Sequence, residues 1–373
     1  MDAVRGVVVI GDLLRPDARG GIGGTDRPTA WLFNAVRRQI ALAAALPVGL
    51  LAPTRCPALA DWLGARRPAQ RADEWWAAMH ADLTPAGPLP DALTEALRGQ
   101  FCVTYEAPPY LGRLLDRLGV PWLDVRLHPV RFLDDLIFAV RASWPVTQAA
   151  LLEHALPESL VVATAGLREA MGQFTSEATV PDDTLLVVGQ RPMDSTQIVG
   201  GRFFDAASHG AEIDRICAAY RAVLLKPHPT GEHHSLLVAA AAGANVLGAT
   251  TDNVYRLLAL PQVTAVLTVN SSAAVEAGYF GKRVHTLAPL PIRLAWRGAA
   301  ADPGAHVSLD DFVLCPDFWR TVLAPHAAVS APDGMRLPAK PNRLRIALDS
   351  FWNFNEVDTD RIPRGNAQSV SAA

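Results

Sequence analysis

The chain has 373 residues, of which 50% are hydrophobic and 19% charged, so it is long enough for two folded domains and too apolar to be disordered. Its net charge of -3 gives no electrostatic reason to expect nucleic acid as a partner. The longest apolar stretch, residues 40–53, is too short to span a bilayer and contains Pro47. The four cysteines are far apart and form no CxxC pair, which predicts buried free thiols in a cytoplasmic protein.

The first half of the chain begins with a predicted strand over residues 6–10 and a glycine-rich loop over residues 20–24. The loop matches neither the dinucleotide-binding pattern nor a P-loop, because no Gly-Lys-Ser/Thr follows it. We interpret it as a flexible surface loop, with an acceptor-binding loop as the alternative. Asp26 is expected to cap the helix that follows, which should run to about Ala45.

Two further strands of the first half end in polar residues. The strand over residues 101–105 leads to Glu106, and the strand over residues 121–125 leads to Arg126 and His128. Because ligands of open α/β sheets bind beyond the carboxyl ends of strands, these three residues could share a cleft between two domains, with Glu106 and Arg126 on the acceptor side. A set of local ion pairs is an equally good interpretation.

The alternation of strands and helices starts again at residue 184, which predicts a second Rossmann-like unit over about residues 181–286. We therefore predict an α/β protein with an N-terminal Rossmann-like domain over residues 1–180 and a second Rossmann-like domain over residues 181–335. Residues 336–373 should form a helix that returns to the first domain, near 343–351, and a disordered tail.

The stretch from Leu224 to Gly281 holds the strongest signal for a binding site. One apolar run ends in Lys226 and His228, and another ends in Ser271 and Ser272 at the start of a predicted helix. A helix N-terminus offers free N–H groups and the positive end of the helix dipole. A cation, an imidazole, two hydroxyls and a helix N-terminus together predict a site for a phosphate or phosphodiester.

Three motifs occur in order in the second half of the chain. They are Gln190-x-x-x-Asp194, Lys226-Pro227-His228-Pro229, and Ser271-Ser272-x-x-x-Glu276-Ala277 followed by Gly281-Lys282. Over roughly residues 185–287 the chain resembles the capsule-polysaccharide synthesis family of retaining β-Kdo transferases. Related histidine–proline and paired-serine motifs occur in bacterial sialyltransferases. The segment 288–296 departs from the glycine-rich, aromatic segment that is usual in the family.

The resemblance implies a GT-B-like fold, with two Rossmann-like domains facing across a cleft, and a CMP-Kdo donor. It implies that the N-terminal domain is on the acceptor side and that the domain over residues 181–335 binds the nucleotide sugar. It implies that Asp194 is the catalytic nucleophile, and we expect His228 to contact or protonate the leaving phosphate. The residues expected to bind the donor are Gln190, Lys226, Ser271, Ser272 and Glu276. A loop or capping role is the alternative for Asp194, a packed strand-end position for His228, and a surface ion pair for Glu276.

No metal or other cofactor is expected, because no predicted strand ends in an Asp-x-Asp motif of the kind that holds a metal on a diphosphate. The expected partners are a CMP-sugar and a glycan or glycolipid acceptor of a surface polysaccharide, with a peripheral membrane or polysaccharide-assembly complex as a further candidate. Three other functions stay open: an inverting sialyltransferase-like enzyme with Asp194 as general base, a polyol-phosphate transferase, and a non-catalytic subunit that binds nucleotide sugar or polysaccharide.

Overall fold

The computed structural model describes residues 3–175, 179–228, 234–338, 340 and 342–348. Within residues 3–175 the elements, in chain order, are β1 (Gly6–Ile10), α1 (Asp26–Ala44), β2 (Val48–Leu51), α2 (Pro57–Arg66), α3 (Ala72–Met79), α4 (Asp91–Leu97), β3 (Gln100–Tyr105), α5 (Pro109–Arg117), β4 (Trp122–Leu127), β5 (Phe138–Ala142), α6 (Pro145–Glu153) and α7 (Glu158–Thr175).

The remaining elements are β6 (Thr184–Val188), β7 (Ile198–Val199), β8 (Arg202–Phe203), α8 (Gly210–Ala218), β9 (Ala222–Lys226), α9 (Ser235–Ala240), β10 (Val246–Ala249), α10 (Val254–Ala259), β11 (Val263–Thr268), α11 (Ser272–Tyr279), β12 (Arg283–Thr286), β13 (Arg293–Ala295), β14 (Ala305–Leu309), α12 (Pro316–Leu323) and α13 (Arg343–Leu348). Short 3₁₀ turns connect several of them. Among the described residues, none of these helices is both long and apolar enough to cross a bilayer.

The strands form two large sheets and a small hairpin, so the predicted mixed α/β class is confirmed. The first sheet has seven strands in the order β13-β14-β5-β4-β3-β1-β2, and only the β4/β5 and β5/β14 pairs are antiparallel. The second sheet has five parallel strands in the order β10-β9-β6-β11-β12. Because its strands are all parallel, their carboxyl ends lie at the same edge, and the polar residues that follow them meet there.

Burial on both faces explains the apolar runs of the central strands. Val7 and Val9 of β1 and Val103 of β3 are almost fully buried, and α1 packs over them with the residues Leu32, Val36 and Ile40, which are spaced four apart. In the second sheet, Leu186 of β6 and Val266 of β11 pack against α10 and α11. Each sheet therefore has its own core.

The end of the chain departs from the predicted division at residue 335. Strands β13 and β14 extend the first sheet, and the helix α12 packs on α1 with the buried residues Phe318 and Trp319. The sequence did not reveal this return, because β13 has only three residues and lies in a proline-rich segment. In α13, Leu344 belongs to the first core. Residues 349–351 of the predicted helix and the predicted disordered tail lie outside the described residues.

The glycine-rich loop is half-buried and closed on itself, which corrects the interpretation as a flexible surface loop. The side chain of Asp17 accepts hydrogen bonds from the N–H groups of Arg19 and Gly21, at 2.8 and 2.7 Å. A Cβ at Gly24 would lie 2.2 Å from the carbonyl oxygen of Pro16, so only glycine fits there. Asp26 is the first residue of α1 and does not cap it.

Candidate active site

A cavity of about 400 Å³ lies where residues that follow the strands of both sheets meet. With the exception of His128, it brings together the residues that the sequence predicted for the site: Glu106, Arg126, Gln190, Asp194, Lys226, His228, Ser271, Ser272 and Glu276. The common cause is the strand-end rule, because most of these residues end a strand or follow β3, β6, β9 or β11. The exceptions are Arg126, the residue before the last one of β4, and Glu276, one turn into α11. Their roles in binding or catalysis remain a prediction.

The N-terminus of α11 forms one wall of the cavity. Ser271 has extended backbone angles and its Oγ accepts a hydrogen bond from the N–H of Ala273 at 3.3 Å, so it is the N-cap of the helix. Ser272 is the first helical residue. The predicted helix N-terminus with its two hydroxyls therefore lies at the cavity.

Lys226 and His228 enter the cavity from the end of β9. Lys226 is buried, and its carbonyl oxygen accepts a hydrogen bond from the N–H of Gly189 at 3.0 Å. A Cβ on Gly189 would lie 2.8 Å from Leu237 Cδ1 and 3.6 Å from the backbone nitrogen of His228. The glycine that follows β6 thus lets Leu237 of α9 pack closely against the backbone beside the segment that carries His228.

Gln190 forms the bridge between the ends of β6 and β11. Its Oε1 accepts hydrogen bonds from Thr268 Oγ1 at 3.1 Å and from the N–H of Asn270 at 3.0 Å. Its Nε2 donates to Asn270 Oδ1 at 3.2 Å. Gln190 was predicted to bind the donor, but the hydrogen bonds in the structure give it a positioning role.

Asn270 is a site residue that the sequence analysis did not select. Its Nδ2 donates to the carbonyl oxygen of Thr196 at 2.6 Å and to that of Pro289 at 3.3 Å. It therefore holds the loop of Asp194 next to the start of α11. The available signal was its position directly after the β11 run and before Ser271.

Asp194 lies in the loop after β6 and lines the cavity. Its Oδ1 accepts a hydrogen bond from the N–H of Thr196 at 2.9 Å, which makes it the N-cap of a 3₁₀ turn over residues 195–197. The capping role considered as an alternative is therefore present. Within the described chain, Oδ2 takes part in no hydrogen bond, so one carboxylate oxygen can face a ligand.

Glu276 is buried on the cavity side of α11. Its Oε1 accepts hydrogen bonds from the N–H of Arg131 at 2.7 Å and from the hydroxyl of Tyr255 at 2.9 Å. Burial penalises the charged form and raises the pKa of Glu276 to about 7, although both hydrogen bonds oppose this shift. Glu276 is thus not a solvated surface ion pair, because its carboxyl group is buried and anchored to the first half of the chain.

Glu106 reaches the cavity from the first sheet through a strained backbone. Its φ of 50° is in the left-handed region, which is unfavourable for a residue with a Cβ. Burial raises the pKa of its carboxyl group; the positive charge of Arg126 opposes this shift, and the negative charge of Asp194 adds to it. Glu106 and Asp194 therefore lie close enough across the cavity to interact electrostatically.

Arg126 lines the cavity, but its guanidinium is engaged by the first sheet. Nε donates to Asp124 Oδ2 at 2.5 Å, and Nη2 donates to the carbonyl oxygen of Ala107. Although burial disfavours its charged form, the carboxylates of Asp124 and Glu106 raise the pKa of Arg126. Arg126 therefore forms the local ion pair that the sequence analysis considered, with Asp124 as its partner.

His128 does not line the cavity, which corrects the expectation that it shares the cleft. Its ring is buried, with Nε2 at 3.1 Å from Ser308 Oγ, and Nδ1 accepts a hydrogen bond from the N–H of Val130 at 3.0 Å. Burial lowers the pKa of His128 to about 3, so the ring is neutral. Its role is to join β4 to β14.

All four cysteines are free thiols, and no group of three His, Cys, Asp or Glu side chains in the described ranges is arranged to hold a metal ion. The cavity therefore offers charged and polar groups of the chain itself. Lys226, His228 and the start of α11 form a pole suited to a phosphate. Asp194 and Glu106 supply carboxyl groups beside it.

No protein-family model and no curated protein sequence matches the chain. Among solved structures, the beta Kdo 2,7 transferase of Thermosulfurimonas dismutans KpsC is similar with a TM-score of 0.33 and 12% identity, covering 68% of this chain and 74% of that one. The beta Kdo 2,4 transferase of the same KpsC gives 0.35 and 13%, covering 60% and 79%. A dipicolinate synthase chain from Bacillus halodurans gives 0.16 and 13%, covering 87% and 97%. Scores this low carry no argument about fold or function.

Proposed function

We propose that this protein is a glycosyltransferase that moves Kdo, or a related keto-sugar acid, from a CMP-activated donor to a surface-polysaccharide or glycolipid acceptor with retention of configuration. The observation that supports it is one cavity that holds a carboxylate, Asp194, beside a phosphate pole of Lys226, His228 and the N-terminus of α11. The two sheets would be the halves of a GT-B-like enzyme, acting in the cytoplasm or at the inner membrane face.

In this proposal the donor phosphate binds at the pole. The N–H groups at the start of α11 and the ammonium of Lys226 would balance the charge that develops on CMP as it leaves. His228 would contact the phosphate and donate a proton to it. Fixed positive charge of this kind suits a donor with a single phosphate on the anomeric carbon.

Retention would follow from two inversions at the anomeric carbon. Asp194 Oδ2 would attack that carbon, and the bond to the phosphate oxygen would break as CMP takes the electron pair. The acceptor hydroxyl would then attack the opposite face, and the bond to Asp194 would break. Glu106, on the other side of the cavity, would take the acceptor's proton. The positioning of Asp194 by Thr196 and Asn270 supports this assignment.

The remaining residues would hold the donor in place. Glu276 lies one helical turn beyond Ser272 and would accept hydrogen bonds from the ribose hydroxyls of CMP. Gln190 would act mainly through Asn270, because its amide oxygen already accepts two hydrogen bonds.

Thermal unfolding with CMP, UDP, GDP and CDP-glycerol tests the nucleotide. A CMP site should stabilise the protein by roughly 2.7 kcal/mol at a hundredfold excess over Kd, whereas UDP and GDP should have little effect. Lys226→Met should abolish the stabilisation by CMP. Lys340→Met is the matched control, because Lys340 is exposed and lies away from the cavity.

The other outcomes each contradict one part of the proposed function. Preferential stabilisation by CDP-glycerol would identify a polyol-phosphate transferase. Stabilisation by CMP without any transfer of sugar would favour a protein that only binds the nucleotide sugar. No stabilisation by any of the four nucleotides would remove the donor site altogether.

A further inference from the structure

Arg131 follows β4, lines the cavity and has no assigned role. Its side chain is half-buried, and its Nε is fully buried without a hydrogen-bond partner. In the part of the chain that the structure describes, no carboxylate lies within 4.0 Å of its guanidinium. A buried N–H without a partner is costly, so a ligand that accepts hydrogen bonds would be favoured there.

The neighbouring arginine shows the contrast. Arg126 also lines the cavity, but Asp124 and the carbonyl of Ala107 occupy its guanidinium. Arg131 has two acidic neighbours, Glu106 and Glu276, and its positive charge lowers the pKa of both. Burial opposes that influence and raises both pKa values, and in the described part of the chain neither carboxylate lies within ion-pair distance of the guanidinium.

Hydrogen bonds hold both the N–H and the carbonyl oxygen of Arg131, so the side chain starts from a fixed backbone position. Its N–H donates to Glu276 Oε1 at 2.7 Å. Its carbonyl oxygen accepts a hydrogen bond from Arg345 Nη2 at 2.6 Å. A guanidinium that extends from such a backbone presents two parallel N–H groups, which is the geometry that binds a carboxylate.

The cavity thus has two positive poles on opposite sheets. Lys226, His228 and the start of α11 belong to the second sheet, and Arg131 belongs to the first. A CMP-activated neutral sugar has a single anionic group, whereas a CMP-activated sugar acid has two. We infer that Arg131 binds the carboxylate of the donor sugar, and that this contact selects acidic keto-sugars over neutral sugars. The inference rests on the proposed function and assigns its specificity to one residue.

Calorimetric binding of CMP and CMP-Kdo to Asp194→Asn protein, which should not turn the donor over, tests the inference. CMP-Kdo should bind more tightly than CMP. Adding Arg131→Gln should weaken the binding of CMP-Kdo by about 10- to 100-fold, to the affinity of CMP. The affinity of CMP itself should not change. Arg131→Lys should give a CMP-Kdo affinity between that of the Asp194→Asn protein and that of the Arg131→Gln variant. Lysine keeps the positive charge but lacks the two parallel N–H groups of the guanidinium. Arg202→Gln, an exposed arginine outside the cavity, is the control and should change neither.

Three outcomes would overturn the inference while leaving the proposed function intact. They are an equal loss of CMP and CMP-Kdo affinity, no loss of either, and an effect of Arg131→Gln confined to the acceptor KM in otherwise wild-type enzyme. Absence of CMP binding to the wild-type protein would instead remove the proposed function, and this inference with it.

Discussion

The side-chain amide of Asn270 donates a 2.6 Å hydrogen bond to the carbonyl oxygen of Thr196, and this bond ties the loop of Asp194 to the start of α11. Gln190 holds Asn270 in turn through both atoms of its amide. The candidate nucleophile and the candidate phosphate pole are thus fixed relative to each other by one buried network. A small displacement within this network would change the distance between Asp194 and the phosphate pole.

Asn270→Ala should reduce kcat by roughly 10- to 100-fold, because Asp194 would no longer be aligned with the anomeric carbon of the sugar. The KM for the donor should change less. Asn245→Ala is a matched control, because Asn245 also donates to two carbonyl oxygens, those of Cys217 and Tyr220, but lies outside the cavity. Both variants should lose about 1–3 kcal/mol of unfolding free energy. An equal change of kcat in both would show that Asn270 affects activity only through stability.

His228→Ala should lower the transfer rate by roughly 10²- to 10⁴-fold if the imidazole both contacts the leaving phosphate and donates a proton to it. His209→Ala is the control, since His209 is half-buried and lies outside the cavity. Steady-state rates over pH 5 to 9 should show that the variant loses one limb of the wild-type profile. An unchanged rate in a folded His228→Ala protein would exclude His228 from the mechanism.

Glu276 should make the stability of the protein depend on pH. Its folded-state pKa of about 7 lies above the ordinary value of 4.5, so its contribution is fully present below about pH 4.5 and is lost as the pH rises through 7. Glu276→Gln can keep both hydrogen bonds to Oε1 and cannot ionise. Relative to wild type, the variant should gain up to roughly 3 kcal/mol between pH 4.5 and 8, as measured by urea unfolding. A constant difference over this range would mean that Glu276 is ionised throughout.

The grouping of the candidate site residues was predictable from the sequence because strand ends of a parallel sheet converge. Lys226, His228 and Ser271 each follow or end a short apolar run, and that pattern alone predicts one edge of one sheet. The mixed α/β class follows from the same alternation of apolar runs and helices. The predicted grouping held across both sheets, since Glu106 reaches the same cavity.

The sequence could not show which strand-end polar residues satisfy one another. Arg126 lies near the end of β4, and His128 and Arg131 follow that strand. Asp124 engages Arg126, and Ser308 engages His128. Their partners come from a buried strand position and from β14, far along the chain. Long-range pairing of this kind also explains why β13 and β14 were not assigned to the first sheet.

Asp194→Asn should preserve the fold and donor binding and lower transfer by about 10³-fold or more. Asparagine can still accept the N–H of Thr196 through its side-chain oxygen, so the 3₁₀ turn keeps its cap. Asp205→Asn is a matched control, because Asp205 caps another 3₁₀ turn, through the N–H of Ala207, and lies outside the cavity. It should keep wild-type rates.

The covalent step through Asp194 makes a prediction that the rate alone does not. Wild-type protein mixed with CMP-Kdo in the absence of acceptor should gain the mass of one sugar, and peptide mapping should place it on Asp194. A keto-sugar acid has a carboxylate next to its anomeric carbon. In our proposal Arg131 binds that carboxylate and keeps the sugar in place while CMP leaves, which favours the adduct. Asp205→Asn should form the adduct and Asp194→Asn should not. If Asp194 instead acts as a base for direct displacement, no adduct forms, and NMR of the product shows an inverted linkage, since a single displacement exchanges the faces of the anomeric carbon.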